Sequence, residues 1–195
     1  GNNSTFKPDI ALIKCRDGPG NGANMYDECR GDTQGLNVSD DGTEDTESDI
    51  TTLFGTTGGG SLTFTGGGSS GDINTTGRTY VAYMWKAGGA PTATNSAGAG
   101  ATPTAGSVKI DGANLGSALA GTIPATKLSA STTAGISVGT YTGTGSAGTV
   151  AHGLGAIPKM VIVKERADDT GAWFVYNSEL ATDAATDYLL WDTSG

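Results

Sequence analysis

The sequence predicts an all-β protein, built of β-sandwich or jelly-roll-like repeat domains joined by a Gly/Ala/Thr-rich spacer. Three observations carry that prediction. One pattern occurs twice, 150 positions apart: Pro8-Asp9-Ile10-Ala11-Leu12-Ile13-Lys14-Cys15-Arg16 lines up without a gap on Pro158-Lys159-Met160-Val161-Ile162-Val163-Lys164-Glu165-Arg166, and Tyr26 falls opposite Tyr176. Short β-branched and aromatic runs recur between dense turn signals. Few windows show a capped helical period. A period this long is too long for a solenoid and reads as tandem copies of one domain. On that reading residues 1–86 are the C-terminal part of a first copy, 87–135 a spacer, and 136–195 the N-terminal part of a second copy. The chain then resembles a window cut from a longer modular protein.

The elements follow in order. Residues 10–16 form an aliphatic run bounded by Pro8 and by the turn Asp17-Gly18-Pro19-Gly20-Asn21-Gly22, after which Met25 and Tyr26 begin a returning strand. Leu36-Asn37-Val38-Ser39-Asp40 echoes Leu189-Leu190-Trp191-Asp192-Thr193 at a slightly longer offset. Ile50 to Phe54 and Ser61 to Thr65 read as strands around a Gly-rich turn. Thr79 to Trp85 is the clearest strand, rich in aromatic and β-branched residues. The second copy opens at Ile136 to Gly145, passes through His152-Gly153-Leu154-Gly155, and enters the repeated strand. Asp168-Asp169-Thr170-Gly171 turns it back into Trp173 to Tyr176, and Tyr188 to Trp191 makes a further strand.

Between Lys86 and Thr140 there is not one aromatic residue. Ala87 to Gly106 is a Gly/Ala/Pro/Thr mixture too poor in apolar surface to offset its ordering entropy alone. Val108 to Leu128 spaces single aliphatics through small residues. Two readings stand open: a shaft element that winds three chains together, or a linker lying on its own domain.

Composition bounds the function. Hydrophobic residues make up 36% of the 195-residue chain, Gly numbers 33, charged residues are 16% and the net charge is -9. Thin cores between small-residue sheets are what such a chain can build. An acidic surface repels phosphate backbones, so nucleic acid is not an expected partner. No apolar run is long enough for a membrane helix, and the first residues lack the pattern of a signal peptide. Cys15 and Cys29 sit on the two strands of one hairpin, where a bridge or two buried thiols are both open; the aligned second-copy residues are Glu165 and Glu179.

No catalytic, cofactor-binding or metal-binding residue set emerges. His152 is the only histidine, so no multi-His metal site forms within this sequence, and its place beside Gly153 reads as a turn. The serines lack a nucleophile elbow. Residues 39–49 hold six carboxylates, an acidic loop in which calcium binding is one reading and plain solvation the other. Their spacing is not that of an EF-hand, and a glycosidase pair would need rigid strands around a cleft. Gly58-Gly59-Gly60 lacks the Lys-Ser/Thr of a phosphate loop. The aromatics Tyr80, Tyr83, Trp85, Trp173, Tyr176, Tyr188 and Trp191 read as sheet core, with an exposed one able to stack on a glycan.

The order Tyr141-Thr142-Gly143-x-Gly145, His152-Gly153-Leu154-Gly155-x-x-Pro158, Ile162-Val163-Lys164-x-Arg166 and Trp173-x-x-Tyr176 resembles a repeated domain of uncharacterised function in marine tailed-phage virion proteins. Asn74-x-x-Gly77-x-Thr79-Tyr80-Val81-Ala82-Tyr83-x-Trp85 resembles that domain's last strand, and Gly121 to Leu128 resembles tail-fibre shaft segments. The resemblance implies a non-enzymatic virion structural protein, a tail fibre or other appendage at the particle surface. Its expected partners are other virion proteins, two further copies of itself in a trimer, and a host-surface glycan or protein, with no cofactor. Turns 17–22, 55–60 and 66–71 are the expected contact loops. The alternatives are a capsid-decorating or head-fibre protein, a bacterial repeat adhesin or filament subunit, and a glycan depolymerase spike.

Overall fold

The computed structural model describes residues 6–17, 22–47, 50, 52–55, 62–64, 73–180 and 187–192. These residues form β-strands and no helix. Strands β1 (Ile10–Cys15), β2 (Ala23–Asp27), β3 (Gly31–Asn37), β4 (Asp45–Thr46) and β5 (Tyr80–Trp85) make a first sheet, ordered β4-β3-β2-β1-β5. Strands β6 (Val108–Ile110), β7 (Ala113–Asn114), β8 (Ala125–Ser131) and β9 (Ile136–Tyr141) make a second, ordered β7-β6-β8-β9. Strands β10 (Met160–Lys164), β11 (Trp173–Asn177) and β12 (Leu189–Leu190) make a third, ordered β10-β11-β12.

The sequence repeat is a repeat of hydrogen-bond register. Ile10 lies opposite Asp27 in the first sheet, and Met160 opposite Asn177 in the third, each 150 positions on. Met25 opposite Leu36 becomes Val175 opposite Leu189, which matches the longer offset of the weaker echo. Since a one-residue slip would turn every side chain to the other face, a shared register means shared faces.

Those faces explain why β1 is buried on both sides. Ala11, Ile13 and Tyr26 point to one side, into a core with Ile50, Leu53, Phe54 and Ile73. There Thr63 N–H donates to Leu53 O at 2.8 Å, although the described parts of Ile50–Phe54 and of Ser61–Thr65 form no regular strand. Residues 51, 61 and 65 lie outside the described residues. On the other side Leu12, Ala23, Met25, Leu36 and Val38 pack with Ile162 and Trp173 of the third sheet. Ile162 and Trp173 hold the same places in their sheet as Leu12 and Ala23 in the first. The two copies therefore meet through equivalent faces, as two subunits do across a two-fold interface.

The segment 87–135, which its composition marks as a spacer, contains β6, β7 and β8 and is folded into a sheet of this chain. Its core gathers Val108, Leu119, Ala125 and Leu128, with Ile110, Leu115 and Ala151 packed against them. β6 and β8 run parallel, Val108 opposite Leu128, and β8 pairs antiparallel with β9. The aliphatics spaced through small residues thus converge on one another within a single chain.

Asp9 and Gly88 fix the crossing from the first sheet to the second. Asp9 is fully buried, and its Oδ2 accepts from Lys86 Nζ at 2.9 Å, Ala87 N–H at 2.8 Å and Gly89 N–H at 3.2 Å. Gly88 N–H donates to Ser129 Oγ at 2.9 Å. A Cβ at Gly88 would lie 2.4 Å from Lys109 O and 2.5 Å from Ala130 O, both backbone atoms. Gly88→Ala is therefore expected to destabilise the chain by about 2–3 kcal/mol, read by urea unfolding. An unchanged midpoint would show that the crossing yields more easily than its geometry implies.

Candidate functional site

Leu12 and Lys14 of β1 share a face with Tyr83 and Val81 of β5, and Trp191 and Asp192 stand beside it. The result is an open cleft of about 430 Å³ lined by Leu12, Lys14, Ala23, Val38, Ser39, Val81, Tyr83, Trp191 and Asp192. Tyr83 stands opposite Leu12 on β5, 53% exposed, and stacks on Trp85 with ring centroids 6.4 Å apart. Trp191, 41% exposed, meets Trp173 edge-on at 6.0 Å, and its N–H donates to Trp173 O at 3.0 Å. Asp192 Oδ1 accepts from Trp173 N–H at 3.3 Å, and Ser39 Oγ accepts from Ala23 N–H at 3.3 Å.

Aromatic faces beside a cation, a carboxylate and a hydroxyl suit a ligand that is apolar on its ring face and polar at its edge. Sugar rings have that character. Asp192 is the one carboxylate among the lining residues.

The aromatics divide differently from a uniform core. Trp173 is buried as expected, but Tyr83, Tyr188 and Trp191 are exposed. β5 is an edge strand, and Tyr188 and Trp191 flank the two-residue β12.

A second, smaller cleft of about 130 Å³ lies where the three sheets approach, with Met25, Tyr141, Ile162 and Trp173 among its walls. Charges knit this junction. Arg30 Nε donates to Asp27 Oδ2 at 2.5 Å, and Arg30 Nη1 reaches Gln34 O at 3.0 Å and Glu44 Oε1 at 3.1 Å. Glu44 also accepts from Arg166 Nη1 at 3.0 Å, and Lys164 Nζ donates to Asp41 O at 3.0 Å. The Lys-x-Arg end of the repeat thus anchors the second copy to the acidic loop of the first.

That loop holds no cation-binding cluster among the described residues, where no three His, Cys, Asp or Glu side chains converge. Asp40 accepts from Asn37 Nδ2 at 2.6 Å, Glu44 takes the two arginines, and Glu47 accepts from Tyr26 O–H at 3.2 Å. Asp49 lies outside the described residues, as do 18–21, 56–60 and 66–71 of the expected contact loops. His152 is an exposed turn residue whose Nδ1 accepts from Leu154 N–H at 3.1 Å.

Cys15 and Cys29 are buried reduced thiols. In the hairpin register Cys29 falls opposite Pro8, seven residues along from Cys15 and roughly 23 Å away at the rise of a strand. No bridge spans that. Burial, reinforced by the Asp27 charge, pushes the Cys29 thiol up, and its Sγ–H donates to Val138 O at 3.3 Å.

Carboxylates in turns give the fold a pH profile. Thr79 N–H, at 2.7 Å, holds the exposed Asp17 below the ordinary carboxylate value, and bonds from Thr132 and Thr170 do the same for Asp111 and Asp168. Burial pushes Glu28 up, against the pull of its ion pair with Lys7. A lowered folded pKa stabilises above the unfolded value and is lost as pH falls through the folded one; a raised carboxyl gains stability as pH falls through it. Thermal midpoints are thus expected to rise from neutrality to about pH 5 and to fall below about pH 3.5. A monotonic fall from pH 7 in a circular-dichroism melt would contradict this.

The fold and its clefts define the class: a tandem-copy, all-β protein whose domains are joined face to face. The family described as "Domain of unknown function (DUF7483)" matches residues 2–109 and again residues 107–195, so the chain belongs to that family and carries its domain twice. The two matched stretches meet at 107–109, inside the segment 87–135. No match is found among curated proteins or among solved structures.

Proposed function

We propose that this chain is a non-enzymatic structural protein of a tailed-phage virion, a tail fibre or other appendage that contacts the host surface. The observation that carries the reading is the packing of two consecutive domain copies through equivalent faces, Leu12 and Ala23 with Ile162 and Trp173. Such a junction gives repeated domains a stiff joint, which suits an extended appendage. The motif resemblance to marine phage virion proteins points the same way. The cleft between Tyr83 and Trp191 has the chemistry of a weak sugar-binding platform. Many copies presented together would raise avidity without strong single contacts.

Immunogold labelling of purified particles tests this, with the label expected on tails. Label on heads would favour the capsid-decorating alternative. Absence from particles, with presence on bacterial envelopes, would overturn the reading in favour of an adhesin or filament subunit. Host polysaccharide incubated with the chain is expected to keep its length; shortening would make the protein a depolymerase. A native mass of three chains is expected for the fibre.

A further inference from the structure

Three charged side chains stand in one row across the first sheet. Ile10 lies opposite Asp27 on one side and Trp85 on the other, so the next row is Glu28, Asp9 and Lys86. Backbone bonds carry the ladder up to that row: Glu28 N–H donates to Asp9 O at 3.0 Å, and Asp9 N–H donates to Trp85 O at 2.9 Å. Residues directly opposed on adjacent strands share a face, with Cβ atoms about 4.5–5.5 Å apart. Lys86 Nζ lies 2.9 Å from Asp9 Oδ2 in an ion pair, and Asp9 is fully buried. Its two oxygens differ. Oδ2 also accepts from Ala87 and Gly89 N–H, whereas Oδ1 is buried with no hydrogen-bond partner. A carboxylate that serves only as an ion-pair partner gains nothing from a bare buried oxygen. Glu28, 11% exposed at its side chain, is pushed up by burial even though Lys7 pairs with it, so it holds a proton more readily than a surface carboxyl does.

An amine, a carboxyl and a second, proton-bearing carboxyl in one buried row are the parts of an amide-forming site. We propose that Asp9 and Lys86 condense into a side-chain amide, a cross-link between the start of β1 and the end of β5, with Glu28 as the proton carrier. Glu28 gives its proton to Asp9 Oδ1 and takes one from the Lys86 ammonium. The freed Nζ lone pair attacks Cγ from about the separation at which such bonds form. Charge gathers on Oδ2, where the N–H groups of Ala87 and Gly89 already point, as donors do in an oxyanion hole. A second ammonium proton passes through Glu28 to Oδ1, the Cγ–Oδ1 bond breaks, and that oxygen leaves as water. The Cγ–Nζ bond remains with the third proton on nitrogen, the charges of the ion pair cancel, and Glu28 ends as it began. The product encloses β1 to β5 in one covalent loop, so a pull applied outside residues 9 and 86 bypasses the first sheet. The second copy has Lys159 and Ser178 in the places of Asp9 and Glu28, so the row belongs to the first copy alone.

The intact mass of the full chain, measured after denaturation, tests the proposal without reference to what the protein binds. The native chain is expected to weigh one water less than its sequence, and fragmentation after digestion is expected to join the peptides that carry Asp9 and Lys86. Lys86→Arg keeps the ion pair and cannot form the amide, so its mass is expected to be that of its sequence. Glu28→Gln is expected to slow the loss of water by at least about a hundredfold, and Glu28→Asp, which keeps a carboxyl, to restore it in part. A purely structural Glu28 would leave the mass of the chain unchanged in both variants. A native chain at its full sequence mass, a missing water that persists in Lys86→Arg, or a link mapped to other residues would each overturn the cross-link. An undiminished rate in Glu28→Gln would overturn the role given to Glu28.

Discussion

Arg30→Ala is expected to be the most damaging of the charge deletions, at about 3–5 kcal/mol. Arg30 and Asp27 are each only 4% exposed at the side chain, so removing the guanidinium leaves a buried carboxylate without its counter-charge. The same deletion strips a donor from Met25 O at 2.7 Å and from Gln34 O. Asp27 Oδ1 also accepts from Cys29 and Arg30 N–H at 3.0 and 2.9 Å, bonds that an asparagine oxygen preserves. The double variant Asp27→Asn/Arg30→Ala is therefore expected to recover at least about 1 kcal/mol over Arg30→Ala. Chemical unfolding of the two variants checks it. If neutralising Asp27 recovers nothing, the cost lies in the lost carbonyl bonds and not in the stranded charge.

Trp173→Ala is expected to cost about 3–5 kcal/mol and to loosen one domain copy from the other. The indole is buried among Ala23, Leu36 and Val38, and its Nε1–H donates to Asn37 O at 3.0 Å. Trp191 rests on its edge, so the sugar-like cleft loses a wall as well. Trp173→Phe keeps the burial and loses the bond, and should cost about 1–2 kcal/mol. Hydrogen exchange separates the two effects. With Ala, the amides of Leu36 to Val38 should open faster while those of β6 and β8 stay as they were. Equal acceleration in both would mean that the chain unfolds as one unit.

The hairpin faces were legible in the sequence because repetition is a strong signal. Two runs with the same Pro, apolar stretch and Lys-x-Arg end, followed by tyrosines at equal distance, fix strand and register together. The spacer was not legible. β8 is Ala-Thr-Lys-Leu-Ser-Ala-Ser, a run with little intrinsic preference for a strand, and its parallel pairing with β6 depends on a contact that no local pattern announces. The exposed Tyr83 and Trp191 escaped because hydrophobic content tells what a side chain prefers and not whether a covering layer exists. The junction of Arg30, Glu44 and Arg166 brings together residues more than a hundred positions apart, two of which belong to runs that look merely solvated. The cysteine pair stayed open between a bridge and two thiols because a detail of place decides it: both lie by the hairpin, one at each end.

The meeting of Leu12 and Ala23 with Ile162 and Trp173 also has a timing built into it. During synthesis the first sheet's apolar face emerges roughly 140 residues before its cover, on the order of ten seconds at ribosomal speed. Until β10 and β11 arrive, Leu12, Met25, Leu36 and Val38 stand open to whatever is nearby. In a crowded polysome the nearest apolar face of matching shape belongs to a sister chain at the same stage. Assembly and mis-assembly would then compete for one surface, with the rate of elongation as the arbiter.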